Sequence, residues 1–188
     1  MCGRYSLAPD ESREIARIVE EVQSRFGADS IRTGEIFPTN TVPILLADGQ
    51  EMIPKPMIWG FPSFRGKGVI INARGETALD KPMFRRSLLE RRCIVPTTGF
   101  YEWDREKTKY QFRLPGRDSL YLAGLWNVFQ GEERFVILTT APNDTIINVQ
   151  DRMPVLLTDD EVTPWLHDTE MASAKLTALQ LALECAAV

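Results

Sequence analysis

The 188-residue sequence predicts one α+β domain over residues 1–188, with a mainly antiparallel sheet, open or barrel-like, and a few peripheral helices. Three observations carry that expectation. The length and an ordinary composition, 44% hydrophobic and 26% charged, suit one soluble hydrophobic core. The elements run as one amphipathic helix, then many short β-rich segments with one inserted helix, then short helices. No repeat, linker or Gly-rich phosphate loop interrupts this order, so a doubly wound α/β fold is not indicated.

Each element has a local reason. In PDESREIARIVEEVQSRFG, Ile15, Ile18, Val19, Val22 and Phe26 recur at helical steps, and Asp10 and Glu11 sit where acid favours a helix start. TGEIFPTNTVPILLADGQ reads as a turn-rich loop entering a short strand that ends at DGQ. Strands follow in MIPKPMIWGF, GVIINARGET, CIVPTTGFYEWD, YQFRLP, LYLAGLWNVF, RFVILTTAP and MPVLLT, separated in places by PGRD and FQGEE. The inserted helix is DKPMFRRSLLERR, with Asp80 as its expected cap and Pro82 in its first turn. Two further helices are expected around DDEVTPWL and within MASAKLTALQLALECA.

Composition narrows the functional classes. No apolar run approaches the ~20 residues that span a bilayer, and MCGRYSLAPD lacks the apolar stretch of a signal peptide, so a cytoplasmic protein is expected. Three cysteines (Cys2, Cys93, Cys185) without CxxC spacing suggest neither a disulfide framework nor a zinc knuckle. The single histidine, His167, rules out a histidine-rich metal site and reads as a surface residue near a helix end. The formal charge is −4, yet residues 81–93 hold Lys81, Arg85, Arg86, Arg91 and Arg92 against Glu90 alone. Such an island fits a phosphate contact or a solvated helix face.

Cys2 poses the chemical question. Removal of Met1 makes it the N-terminus, with an α-amine (reference pKa about 7.7–8.0) and a thiol (about 8.5) on one residue, both expected next to solvent. A 1,2-aminothiol takes an aldehyde as an imine and closes it to a thiazolidine. A small buried residue after the start is the alternative. Three polar stretches stand out beside it. In IINARGET, Asn72, Arg74 and Glu76 alternate, as on one face of a strand. Glu102 lies between Tyr101 and Trp103, where burial raises a carboxyl pKa toward neutrality. Gln150, Asp151 and Arg152 precede an apolar run. Singly, each also has a structural reading: a surface strand face, a paired core carboxylate, a turn.

Together, MCGRY, WGF, INARGET, KPMFR, GFYEW and DRMPV stand in the order of the SRAP family (SOS response-associated peptidases), which the chain resembles from residue 2 to about 166. The resemblance implies a protein that binds single-stranded or junction DNA and links covalently to abasic sites. It implies a damage-response role that shields the lesion, without cofactor or metal, for a cytoplasmic monomer that joins the nucleoid on damaged DNA. Cys2 is then the nucleophile, Asn72 holds the cysteine or the sugar, and Glu102 moves protons. Gln150 takes the catalytic position where the family usually carries histidine, and an amide cannot exchange a proton at accessible pH. Arg4, Arg74 and Arg152 hold phosphates, with Gly3, Arg85 and Thr139 also on the DNA. Pro38, Met83 and Phe84 wedge against bases, a contact that tolerates any sequence. The loop before Pro38, GEIFPTN, lacks the asparagine often found upstream. Two other functions fit the same residues: a cysteine peptidase, including one that acts only on its own Met1, and a non-catalytic single-stranded DNA binder.

Overall fold

The structure is a computed structural model and describes residues 2–64 and 66–188. In chain order the strands and helices are β1 (Arg4–Leu7), α1 (Arg13–Phe26), β2 (Gly34–Ile36), β3 (Thr41–Asp48), β4 (Glu51–Trp59), β5 (Phe61–Pro62), β6 (Val69–Ile70) and β7 (Asn72–Arg74). There follow α2 (Gly75–Ala78), α3 (Pro82–Glu90), β8 (Arg92–Thr97), β9 (Gly99–Trp103), β10 (Lys109–Arg113), β11 (Leu120–Phe129) and β12 (Glu132–Thr140). The chain ends with β13 (Met153–Pro154), β14 (Leu156–Leu157), α4 (Asp159–His167), α5 (Thr169–Lys175) and β15 (Glu184–Ala187).

The sheet closes. Strands pair in the order β12–β4–β3–β8–β11, and β11 pairs back with β12, which makes a five-stranded barrel. Its one parallel seam is β12 with β4; the other four pairings are antiparallel. A second sheet, β15–β10–β9–β1–β2, lies beside it. The chain passes from one to the other between β8 and β9, where Thr97 Oγ1 donates to the Ser6 carbonyl at 2.6 Å.

Barrel strands are buried on both faces, so they read as near-continuous apolar runs. Along β12, Phe135 and Ile137 join one core cluster, which also holds Tyr5, Trp59, Phe100 and Phe112. The alternate residues Val136 and Leu138 join a second cluster, with Phe84, Leu88 and Trp165 from the helices. This period of two is what a pleated strand imposes. Among the described residues no helix is long and apolar enough to cross a membrane.

Several local expectations are corrected. Helix α1 is capped by Ser12, whose Oγ accepts from the Ile15 amide, so Asp10 and Glu11 lie before it. Helix α3 has Lys81 at its cap without a side-chain bond; Pro82 at the first position has no amide to satisfy, which leaves Asp80 nothing to do there. The strand in INARGET stops at Arg74, and Glu76 belongs to α2. Gly75 allows that break: a Cβ there would stand 2.9 Å from the Leu176 carbonyl oxygen. The last expected helix also stops early. The tail Glu184–Ala187 instead adds an antiparallel strand to β10.

Candidate functional site

The site is assembled where β1, β7 and β9 bring their polar ends together. Cys2 lies two residues before β1 and is fully buried in the cluster that holds Tyr5 and Trp59. Its carbonyl accepts a hydrogen bond from Asn72 Nδ2 at 2.9 Å. Asn72 in turn is set by β7, which pairs parallel to β12 with Asn72 opposite Ile137. One residue earlier, the Ile71 carbonyl is held by Trp59 Nε1 at 3.1 Å. Asn72 Oδ1 is buried and has no hydrogen-bond partner, an acceptor kept out of water and unused.

Burial governs the ionisation of this site. It pushes the Cys2 thiol well above its ordinary value, and the nearby charge of Glu102 pushes it further. The thiol is therefore not next to solvent, which corrects that expectation: the side chain packs beneath the sheet rather than trailing from it. Met1 lies outside the described residues. Glu102 is 2% exposed on β9, between β1 and β10. Desolvation raises its pKa from 4.5 to about 7, and Asp151 acts in the same direction. The direction is the one expected, but Tyr101 and Trp103 alternate to the opposite face of β9, and the burial comes from the inner face of the second sheet.

Two clefts border the site. One, of about 440 Å³, is lined by Phe64, Ile70, Asn72, Arg74, Lys81, Met83 and Phe84. Asn72 thus touches both the cysteine and this cleft. The other, of about 650 Å³, is lined by Trp103 to Glu106 and Ile147 to Asp151. There Gln150 Nε2 donates to the Trp103 carbonyl at 3.1 Å.

The remaining candidate residues fall into distinct settings. Arg74 is exposed and lies opposite Thr139 across β7 and β12. Thr139 is fully buried, and its carbonyl accepts from Arg152 at 2.7 Å, so it positions the guanidinium rather than facing solvent. Arg152 also grips Glu76 through two bonds, at 2.6 and 2.8 Å, and holds that carboxyl below its ordinary pKa. Arg4 donates to Glu35 at 2.9 Å and stacks over Phe37. Met83 is half-buried, whereas Phe84 is 5% exposed and leans on Phe61, so Met83 presents more of itself to the cleft. Gly3, Pro38 and Arg85 line neither cleft. His167 is exposed at the end of α4.

Phe64 was not anticipated. It is 79% exposed at the mouth of the smaller cleft. A lone aromatic among Ser, Gly and Lys in SFRGKG is the signal that could have found it, because such a ring has no core to join. Among the described residues no group of three or more His, Cys, Asp or Glu could hold a metal ion.

A closed α+β barrel with a sequestered near-terminal cysteine, a carboxyl poised near neutrality and a bordering cationic cleft defines a cysteine–carboxylate site of a particular kind. The chain belongs to the SOS response associated peptidase (SRAP) family, whose sequence model matches residues 1–187. It is 32% identical to the abasic site processing protein YoqW of Bacillus subtilis, over 89% of this chain and 80% of that one. Against the abasic site processing protein YedK of Escherichia coli the identity is 27%, over 89% and 80%. Against HMCES of Xenopus tropicalis it is 29%, over 91% and 67%. A crystal structure of a Bacteroides thetaiotaomicron protein shares the fold, with a TM-score of 0.82 at 23% identity, covering 100% of this chain and 92% of that one.

Proposed function

We propose that this protein captures abasic sites in single-stranded or junction DNA by forming a thiazolidine at Cys2 once Met1 is removed. The observation that carries the reading is the Asn72 bridge. One side chain fixes the Cys2 backbone and lines a cleft whose charged residues, Arg74 and Lys81, are both cations. The names of the relatives point to the same lesion.

The chemistry follows from the ionisation states. The ring-opened abasic sugar offers an aldehyde at C1′. The freed α-amine adds to it, one water leaves, and an imine forms. The thiol sulfur then adds to the imine carbon, its proton passes to the nitrogen, and the ring closes. Because burial keeps the thiol protonated at neutral pH, ring closure needs a neighbouring base. Glu102, with a pKa of about 7, is half ionised there and can take that proton or protonate the departing hydroxyl. Arg74 and Lys81 hold phosphates of the strand, and Met83 with Phe64 supplies apolar surface for bases.

Peptide hydrolysis fits less well. The thiol has a raised pKa, and the one histidine of the chain lies on α4, outside both clefts. The test is a denaturing gel of the protein with single-stranded DNA carrying an abasic site. The wild type gives a heat-stable conjugate, while Cys2→Ser binds but leaves none, because its amine forms only a reversible imine. Equal heat-stable yield from Cys2→Ser would overturn the thiazolidine.

A further inference from the structure

The second sheet has two faces with different chemistry. Tyr5, Phe100, Glu102 and Phe112 point inward. The register places Arg4 opposite Tyr101, Lys109 opposite Trp103, and Glu35 opposite Ser6, so these side chains share the outer face. There the Glu35 carboxylate is shared: its Oε1 accepts from Arg4 Nη1 at 2.9 Å and from Lys109 Nζ at 2.7 Å. Both cations also lie over aromatic rings. Arg4 sits 3.9 Å from the centre of Phe37 and 5.2 Å from Trp103, and Lys109 sits 4.0 Å from Tyr101 and 5.7 Å from Trp103.

Two cations served by one carboxylate oxygen leave the cluster with surplus positive charge. Arg4 gives Glu35 only its Nη1, which leaves Nη2 for another acceptor, while its Nε is buried and out of reach, as is that of Arg152. By contrast, Arg152 spends both terminal nitrogens on Glu76 and adds the Thr139 carbonyl. The Arg4 guanidinium thus keeps Nη2, and Nη1 once Glu35 leaves, for a phosphate with its several acceptor oxygens. The three groups are about a quarter to a third exposed, with side-chain values of 29% for Arg4, 25% for Lys109 and 33% for Glu35. A strand can reach them. Glu35 itself belongs to β2, a three-residue strand at the edge of its sheet, held by β1 alone.

We propose that Arg4 and Lys109 form a seat for one backbone phosphate of single-stranded DNA, that Glu35 fills this seat in the free protein, and that the strand binds by displacing it. The inference rests on the DNA-binding reading and adds to it a contact residue, Lys109, and a competitor, Glu35. The aromatic floor suits the same occupant, since Phe37, Tyr101 and Trp103 lie where bases next to that phosphate would stack. An internal carboxylate in the seat lowers affinity for any polyanion, so tight binding requires the rest of the path to be engaged as well.

The test uses the full chain and an oligonucleotide with a tetrahydrofuran in place of the abasic sugar, which lacks the aldehyde and binds without covalent capture. Affinity is measured by fluorescence anisotropy at several salt concentrations for the wild type, Glu35→Gln, Lys109→Ala and Arg74→Ala, with thermal melting as a check on folding. Glu35→Gln is expected to tighten binding by about two- to fivefold, the range of one exposed ion pair. Lys109→Ala should weaken binding and flatten the log–log salt slope by about 0.7, one phosphate contact on a single strand. Unchanged or weaker binding by a folded Glu35→Gln would overturn the competitor role. An unchanged slope in Lys109→Ala would overturn the seat. If Arg74→Ala weakens binding while the other two variants match the wild type, the seat falls and the DNA reading stands. If the wild type does not bind at all, both fall.

Discussion

The two clefts that border the site differ in sign. The one reached through Asn72 carries Arg74 and Lys81 and no carboxylate, while the one beside Gln150 carries Asp104, Glu106 and Asp151 against Arg105. A polyanion is drawn to the first and repelled by the second. The difference shows how a chain with net charge −4 can still hold a cleft whose charged lining residues are cations alone. Under the proposed function the acid also has a use: Asp151 adds to the desolvation that raises the Glu102 pKa, so the acidic cleft would serve proton transfer and the basic one binding.

That division can be broken from either side. The largest effect is expected at Glu102. Glu102→Gln should slow conjugate formation by about 10²–10⁴-fold, the usual worth of general acid–base assistance. The wild-type pH–rate profile should show an inflection near pH 7, and the variant should lose it, both read by quenching reactions on denaturing gels from pH 5.5 to 8.5. The same residue predicts a stability trend. Its folded pKa, about 7, lies above the ordinary 4.5, so the folded state binds this proton more tightly. The associated stabilisation is present below pH 4.5 and is lost as pH rises through about 7. Wild-type melting temperature should therefore fall between pH 5 and pH 8 by more than that of Glu102→Gln.

A smaller effect is expected at Gln150, which reaches the Trp103 carbonyl next to Glu102. Gln150→His installs a second proton carrier and should speed capture by about tenfold, most clearly at pH 6–7. Identical pH–rate profiles for the two proteins would mean that this position only orients the sugar.

The basic cleft is probed by Arg74→Ala, which should weaken noncovalent binding and flatten the salt slope by about 0.7. The smallest effect belongs to Asp151→Asn. Loss of its charge should move the rate inflection to lower pH and leave the salt slope of binding unchanged. A large loss of affinity there would dissolve the contrast between the clefts.

Much of this was legible in the sequence, and the failures share a cause. The helical period of Ile15, Ile18, Val19 and Val22 fixed α1 because all four are buried on one face. The raised pKa of Glu102 was expected from its aromatic neighbours, yet those alternate to the outer face, and what buries the carboxyl is the inner face of the second sheet. The tail was not: LALECAA has helix-forming residues, but β10 offers an unpaired edge, and backbone pairing outweighs so weak a propensity. Glu76 was misplaced because alternation persists on paper after a strand has turned into a helix, and only the packing of Gly75 on Leu176 reveals the break. Thr139 and Phe84 carry the right chemistry for contacts, yet their burial depends on partners distant in the chain, Arg152 at Thr139 and Phe61 at Phe84. The burial of Cys2 is of the same kind, since nothing adjacent in sequence shows that the chain before β1 joins the core cluster of Tyr5 and Trp59.

The central claim, that the α-amine and thiol of Cys2 together capture the lesion, is tested most directly by intact mass of the protein after incubation with an abasic oligonucleotide, followed by mapping of the modified peptide. The account predicts a species equal to the protein lacking Met1 plus the oligonucleotide minus one water, with the modification on Cys2. A conjugate that retains Met1, or one mapped to a lysine, would contradict it.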